Sequence, residues 1–133
     1  MACKILVVDD SKLARMAVIK TLAAVQPNWG WVEAKNANEA IALASQTAVD
    51  IALLDVNMPG RDGLQLAAEL LVIRPDLEVA FISANQQREI VGRARALNAE
   101  FLPKPLVAES LRAFLDEVVL RKSRPLGDAQ KPA

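Results

Sequence analysis

The chain contains no histidine and a single cysteine, Cys3, in 133 residues. Without imidazole there is no Ser–His–Asp triad and no metal site built on histidine. One cysteine leaves no internal disulfide and fits a reducing, cytoplasmic setting. Neither sign of charge is in excess, with 16 basic and 16 acidic residues. An intrinsic nucleic-acid binder usually carries a basic surplus, so this balance argues against one. Long apolar runs are also missing. Stretches such as Ile51–Leu54 within AVDIALLD fall far short of the ~20 residues that a membrane helix needs. No basic start followed by a long apolar stretch marks a secretory signal. Any chemistry must come from carboxylates, lysine, hydroxyls or a bound ion.

What the chain does have is apolar residues, at 53%, enough to build one full core. They come in short continuous runs that alternate with helix-period segments, the pattern of a parallel sheet wrapped by helices. Strands are expected at Lys4–Val8, Trp31–Ala34, Ile51–Leu54, Val79–Ile82 and Phe101–Pro103. Helices are expected over Ser11–Val25, from Asn36 or Asn38 to about Ser45, and over Gly63–Ile73, Gln86–Leu97 and Val107–Leu120. The first helix draws on apolar Leu13, Met16, Ala17, Ile19, Ala23 and Ala24. Met58-Pro59-Gly60-Arg61 predicts a type II turn, with Asp62 capping the helix that follows. Asn98 stands where a helix often ends in a left-handed residue. Lys122–Ala133 holds two prolines and a glycine with little apolar content. This predicts one domain over residues 1–121 and a tail or linker over 122–133.

Five βα units of this size point to an α/β fold with a doubly wound five-stranded parallel sheet. In the strand order 2-1-3-4-5, strands one and three flank the switch point, and ligands bind outside their carboxyl ends. Pro103 suits the edge position of strand five, because proline cannot donate to the ladder. Asp9 and Asp10 follow strand one, Asp55 ends strand three, Ser83 ends strand four and Lys104 ends strand five. All five converge on one rim. Three crowded carboxylates repel one another unless a cation sits among them, and Mg²⁺ (or Mn²⁺) suits few carboxylates, several waters and a phosphate oxygen. A carboxylate can also attack phosphorus, while lysine, metal and hydroxyl stabilise the transferring group.

With these parts in place, VVDDS at 7–11, LLDVNMPGRDG at 53–63, FISAN at 81–85 and FLPKP at 101–105 carry a resemblance. The sequence resembles the receiver domains of two-component response regulators over about Lys4 to Arg121. The resemblance implies a flavodoxin-like (CheY-like) three-layer sandwich. It implies Asp55 as phospho-acceptor, with Asp9, Asp10, Asp55 and the Asn57 backbone carbonyl around the divalent ion. Ser83 looks like the switch hydroxyl, Lys104 like the counter-charge, and Phe101 like the aromatic that changes rotamer. Phe101 replaces a frequent tyrosine and lacks its hydroxyl, and Asn98 stands where glycine is usual.

By the same resemblance the chain is not a classical enzyme, although it assists its own phosphorylation and dephosphorylation. Its donor would be a sensor histidine kinase or histidine phosphotransfer protein. Its target would be a downstream protein at the face of helix four, strand five and helix five. Neither nucleic acid nor membrane is an expected partner, and the chain would be a monomer or a phosphorylation-dependent dimer. The rival readings are the receiver part of a larger regulator, a pseudo-receiver that binds without phosphorylation, and a flavin-binding protein. FMN wants a Ser/Thr/Gly-rich loop after strand one, where this chain has Asp9-Asp10-Ser11-Lys12.

Overall fold

Backbone groups in a continuous apolar strand are satisfied when neighbours pair on both sides and helices cover both faces. The computed structural model, which describes residues 2–58, 60, 62–84 and 88–123, has this form. Five parallel strands, β1 (Lys4–Val8), β2 (Gly30–Ala34), β3 (Ile51–Asp55), β4 (Glu78–Ser83) and β5 (Glu100–Pro103), lie in the order β2-β1-β3-β4-β5. The helices are α1 (Lys12–Val25), α2 (Ala37–Gln46), α3 (Gly63–Ile73), α4 (Arg88–Ala96) and α5 (Ala108–Ser123).

Alternate strand residues feed two separate cores. Leu6, Val8, Ala52, Leu54, Val79 and Phe81 pack with residues of α2, α3 and α4. Ile5, Val7, Ile51, Leu53, Ala80 and Ile82 pack with residues of α1 and α5. The continuous apolar runs therefore reflect a sheet buried on both faces, and the expected three-layer α/β sandwich is present.

Local chemistry sets the helix starts. Ser11 caps α1 by accepting from the Ala14 N–H at 3.2 Å, and Asn36 caps α2 by accepting from the Glu39 N–H at 2.8 Å. Asp62 caps α3 in a reciprocal box, accepting from the Gln65 N–H at 2.8 Å while its own N–H reaches Gln65 Oε1 at 3.3 Å. Asn98 takes the left-handed conformation expected of it, at φ 57°.

Two expectations need adjusting, and others reach outside the described residues. In α1 the buried residues are Val18 and Leu22, whereas Leu13 is 79% and Met16 53% exposed. That helix is apolar on most sides, so the face laid on the sheet was not marked by hydrophobicity alone. Helix α5 runs to Ser123, past the end expected at Leu120. Of the expected turn over 58–61, Pro59 and Arg61 lie outside the described residues, while Gly60 has φ 81°. The same holds for Gln86 and Gln87 of the fourth helix, Asn85 of FISAN, and the tail from residue 124.

Arg74 joins two helices of one layer. It ends α3, and its guanidinium donates to the Ala44 carbonyl at 2.9 Å and the Thr47 carbonyl at 3.2 Å, at the C-terminus of α2. The Ala44 carbonyl belongs to the last turn of α2, where the helix supplies no donor of its own, while the Thr47 carbonyl also accepts from the Val49 N–H at 2.9 Å. Arg74→Ala is expected to destabilise the fold by about 1.5 kcal/mol, the scale of hydrogen bonds to a charged group. Chemical denaturation with an unchanged midpoint would contradict this role.

Candidate functional site

Parallel register builds the site before any side chain is considered. Val7 pairs with Leu53 and Val8 with Leu54, so the next residue of each strand brings Asp9 beside Asp55. Both carboxylates are nearly buried, at 5% and 6% exposure, and Asp10 beside them is exposed. Asp9, Asp10 and Asp55 each offer an oxygen, all within 4.8 Å of one another, a group able to hold a metal ion. Such an all-carboxylate oxygen set suits a hard divalent cation.

Electrostatics favour a cation there. Burial pushes the Asp9 carboxyl above its ordinary range, and the charges of Asp55 and Asp10 act in the same direction. The Ser11 N–H, which donates to Asp9 Oδ1 at 2.9 Å, and the Lys104 ammonium pull it back down. Lys104 Nζ lies 3.2 Å from Asp55 Oδ1 and 3.6 Å from Asp9 Oδ2, so among the described residues one ammonium is shared by two of the three clustered carboxylates. A divalent ion would relieve the excess negative charge and the desolvation cost that raises Asp9.

Strand ends place the remaining residues. Ser83 closes β4 at 1% exposure, and its carbonyl accepts from the Lys104 N–H at 3.1 Å. That bond ties the end of β5 to the end of β4. The Lys104-Pro105 peptide is cis. Asn57 is exposed two residues after Asp55. Phe101 stands away from the carboxylates, half-buried against the α4-side core. It borders a groove of about 300 Å³ with Val91, Ala94 and Arg95, and another of about 230 Å³ with Ser110, Ala113 and Phe114. Structure thus joins Asp9, Asp10, Asp55 and Lys104 directly, and sets Phe101 apart on strand β5.

The chain has known relatives. The model of the response regulator receiver domain matches residues 5–116. The chain belongs to that family. A response regulator MprA of Mycobacterium avium is 32% identical over 98% of this chain and 56% of its own length. A protein-glutamate methylesterase/protein-glutamine glutaminase of Paramagnetospirillum magneticum is 32% identical over 96% of this chain and 35% of its own. Among solved structures, the chemotaxis protein CheY4 of Vibrio cholerae superposes with a TM-score of 0.79 at 26% identity, covering 89% of this receiver and 99% of that chain. The receiver spans about half the length of the MprA relative and about a third of the methylesterase. Phosphorylation on an aspartate is the general mechanism of receiver domains. No described helix is long and apolar enough to cross a membrane. The family match leaves the flavin reading without support, since Asp9 and Asp10 occupy the loop that FMN's phosphate would need.

Two neighbours of the site were not singled out by their sequence positions. Gly63, the first residue of α3, donates its N–H to the Val56 carbonyl at 3.0 Å, directly behind Asp55. Arg15 of α1 donates to the Asp9 main-chain carbonyl at 2.6 Å. Gly63 follows the capping residue Asp62, which offered a partial signal. Arg15 offered none, because its contact depends on where α1 lies.

Proposed function

We propose that this receiver accepts a phosphoryl group on Asp55 from a phosphohistidine of a sensor kinase or histidine phosphotransfer protein. The observation that carries the reading is the cluster of Asp9, Asp10 and Asp55 with Lys104 Nζ 3.2 Å from Asp55. An Asp55 carboxylate oxygen attacks phosphorus as the bond to the donor's imidazole nitrogen breaks. Mg²⁺ or Mn²⁺ at Asp9, Asp10, Asp55 and the Asn57 carbonyl would supply charge neutralisation for the phosphoryl oxygens. Lys104 supplies a fixed positive charge at the same place, and the Ser83 hydroxyl donates to a phosphoryl oxygen.

The new charge is read through Ser83 and β5, with Phe101 moving between the spaces on its two sides, and it changes the α4–β5–α5 face offered to a downstream protein. In this reading the chain is a cytoplasmic signalling domain of residues 1–121 with a tail after it, not a classical enzyme. A monomer or a phosphorylation-dependent dimer would satisfy it. A second reading, the receiver part of a larger regulator, is favoured by relatives nearly twice this length. The coding sequence beyond Ala133 separates the two.

The test is incubation with a small phosphoramidate or acyl phosphate and Mg²⁺, followed by peptide mapping. Label is expected on the peptide carrying Asp55 and nowhere without the metal. Label on any other residue would sink the assignment.

A further inference from the structure

Arg15 is 13% exposed and its guanidinium points in two directions. Nη1 donates to the main-chain carbonyl of Asp9 at 2.6 Å, and Nε donates to Glu33 Oε1 on β2 at 3.1 Å. Asp9 is fixed at other points as well. Its N–H reaches the Ala34 carbonyl at 3.2 Å, and its Oδ1 accepts from the Ser11 N–H at 2.9 Å. Oδ2 is the atom turned toward Lys104, at 3.6 Å. Arg15 therefore grips the backbone of Asp9 from behind while the carboxylate faces the acidic cluster.

We propose that Arg15 is a positioning residue of the cation site, holding Asp9 so that its carboxylate is aimed at the ion; this rests on the metal-dependent reading above. Two effects of Arg15 on a bound cation oppose each other. Its positive charge near the carboxylates disfavours a second cation, and its grip on Asp9 favours one. Glu33 decides between them. The ion pair at 3.1 Å neutralises the guanidinium, so the repulsive part is largely cancelled and the positional part remains. The planar fork of arginine serves both partners at once, which a lysine ammonium does not do in this geometry.

Calorimetric titration of the full chain with MgCl₂ tests the sign. Arg15→Ala is expected to weaken Mg²⁺ binding about tenfold, the low end of what outer-shell partners contribute. Arg15→Lys, which keeps the charge, is also expected to bind more weakly than the parent chain. Hydrogen exchange at the Ser11 amide should quicken in both variants, because its acceptor on Asp9 is no longer held. A variant that merely lost stability would keep the parent affinity while still folded. Affinity for Mg²⁺ that is unchanged or tighter in Arg15→Ala overturns the proposal. If that variant does not fold, Arg15→Lys carries the test, and parent-like affinity there overturns it. A parent chain that binds no Mg²⁺ overturns this inference and the metal-dependent reading together, whereas parent binding with an indifferent Arg15 overturns only the former.

Discussion

Asp55→Asn is expected to bring phosphoryl labelling of the chain down to the level of a blank without unfolding it. The amide nitrogen and oxygen of asparagine are too weakly nucleophilic to replace the carboxylate at phosphorus. A loss of labelling would be uninformative if the variant also lost its fold, and here the electrostatics argue that it does not. Asp55 is 6% exposed and shares one ammonium with Asp9, while Asp10 adds a third negative charge. Removing one carboxylate leaves Lys104 paired with Asp9 and reduces the repulsion among the rest. The metal-free variant should therefore melt at or above the parent temperature and bind Mg²⁺ more weakly. Thermal melting, calorimetry and labelling on the same preparation check the three parts. Retained Mg²⁺-dependent labelling would remove Asp55 from the reaction.

A glycine-to-alanine change at residue 63 is expected to be the most damaging small substitution near the site. Intrinsic helix propensity alone would favour alanine by as much as about 1 kcal/mol. The environment reverses the sign. A Cβ at Gly63 would run into the carbonyl oxygen of Asp55 and sit 3.0 Å from both the Asp55 carbonyl carbon and the Val56 Cα. Those atoms are backbone and cannot swing away as a side-chain tip would, so α3 or the end of β3 must shift. Overpacking of this kind costs about 1–3 kcal/mol or more, and we expect a net loss of about 3 kcal/mol. That loss corresponds to a melting temperature lower by roughly 10 °C. Labelling should fall about 100-fold as well, because an attacking atom displaced by ~1 Å loses its alignment. Gly92→Ala in α4 is the matched control. Among the described residues nothing lies within 4 Å of a Cβ there, so the same change should stabilise the chain by about 0.5–1 kcal/mol. Equal effects at the two positions would refute the close-approach argument.

The contrast between these glycines shows what could be read in advance. Strand and helix positions followed from local chemistry: β1 and α3 have the expected bounds, Asp62 caps α3 as expected, and Asn36 rather than Asn38 caps α2. Continuous apolar strands implied a sheet covered on both faces, while Pro103 at the edge and the family resemblance favoured the strand order that is found. Convergence of Asp9, Asp55 and Lys104 followed from that order, because all three leave the sheet at the same rim.

Sequence by itself therefore determined the fold class, the register-driven meeting of the carboxylates and the kind of ion they suit. Tertiary structure decided the rest. Which face of α1 is buried depends on the helix's rotation against the sheet, and Val18 and Leu22 won over Leu13 and Met16 although all are apolar. Whether a glycine is required depends on what lies beside it, as Gly63 and Gly92 show. The grip of Arg15 on Asp9 and Glu33 depends on three elements meeting at one point. Local chemistry can be read along the chain, but contacts between elements depend on distances that only packing defines.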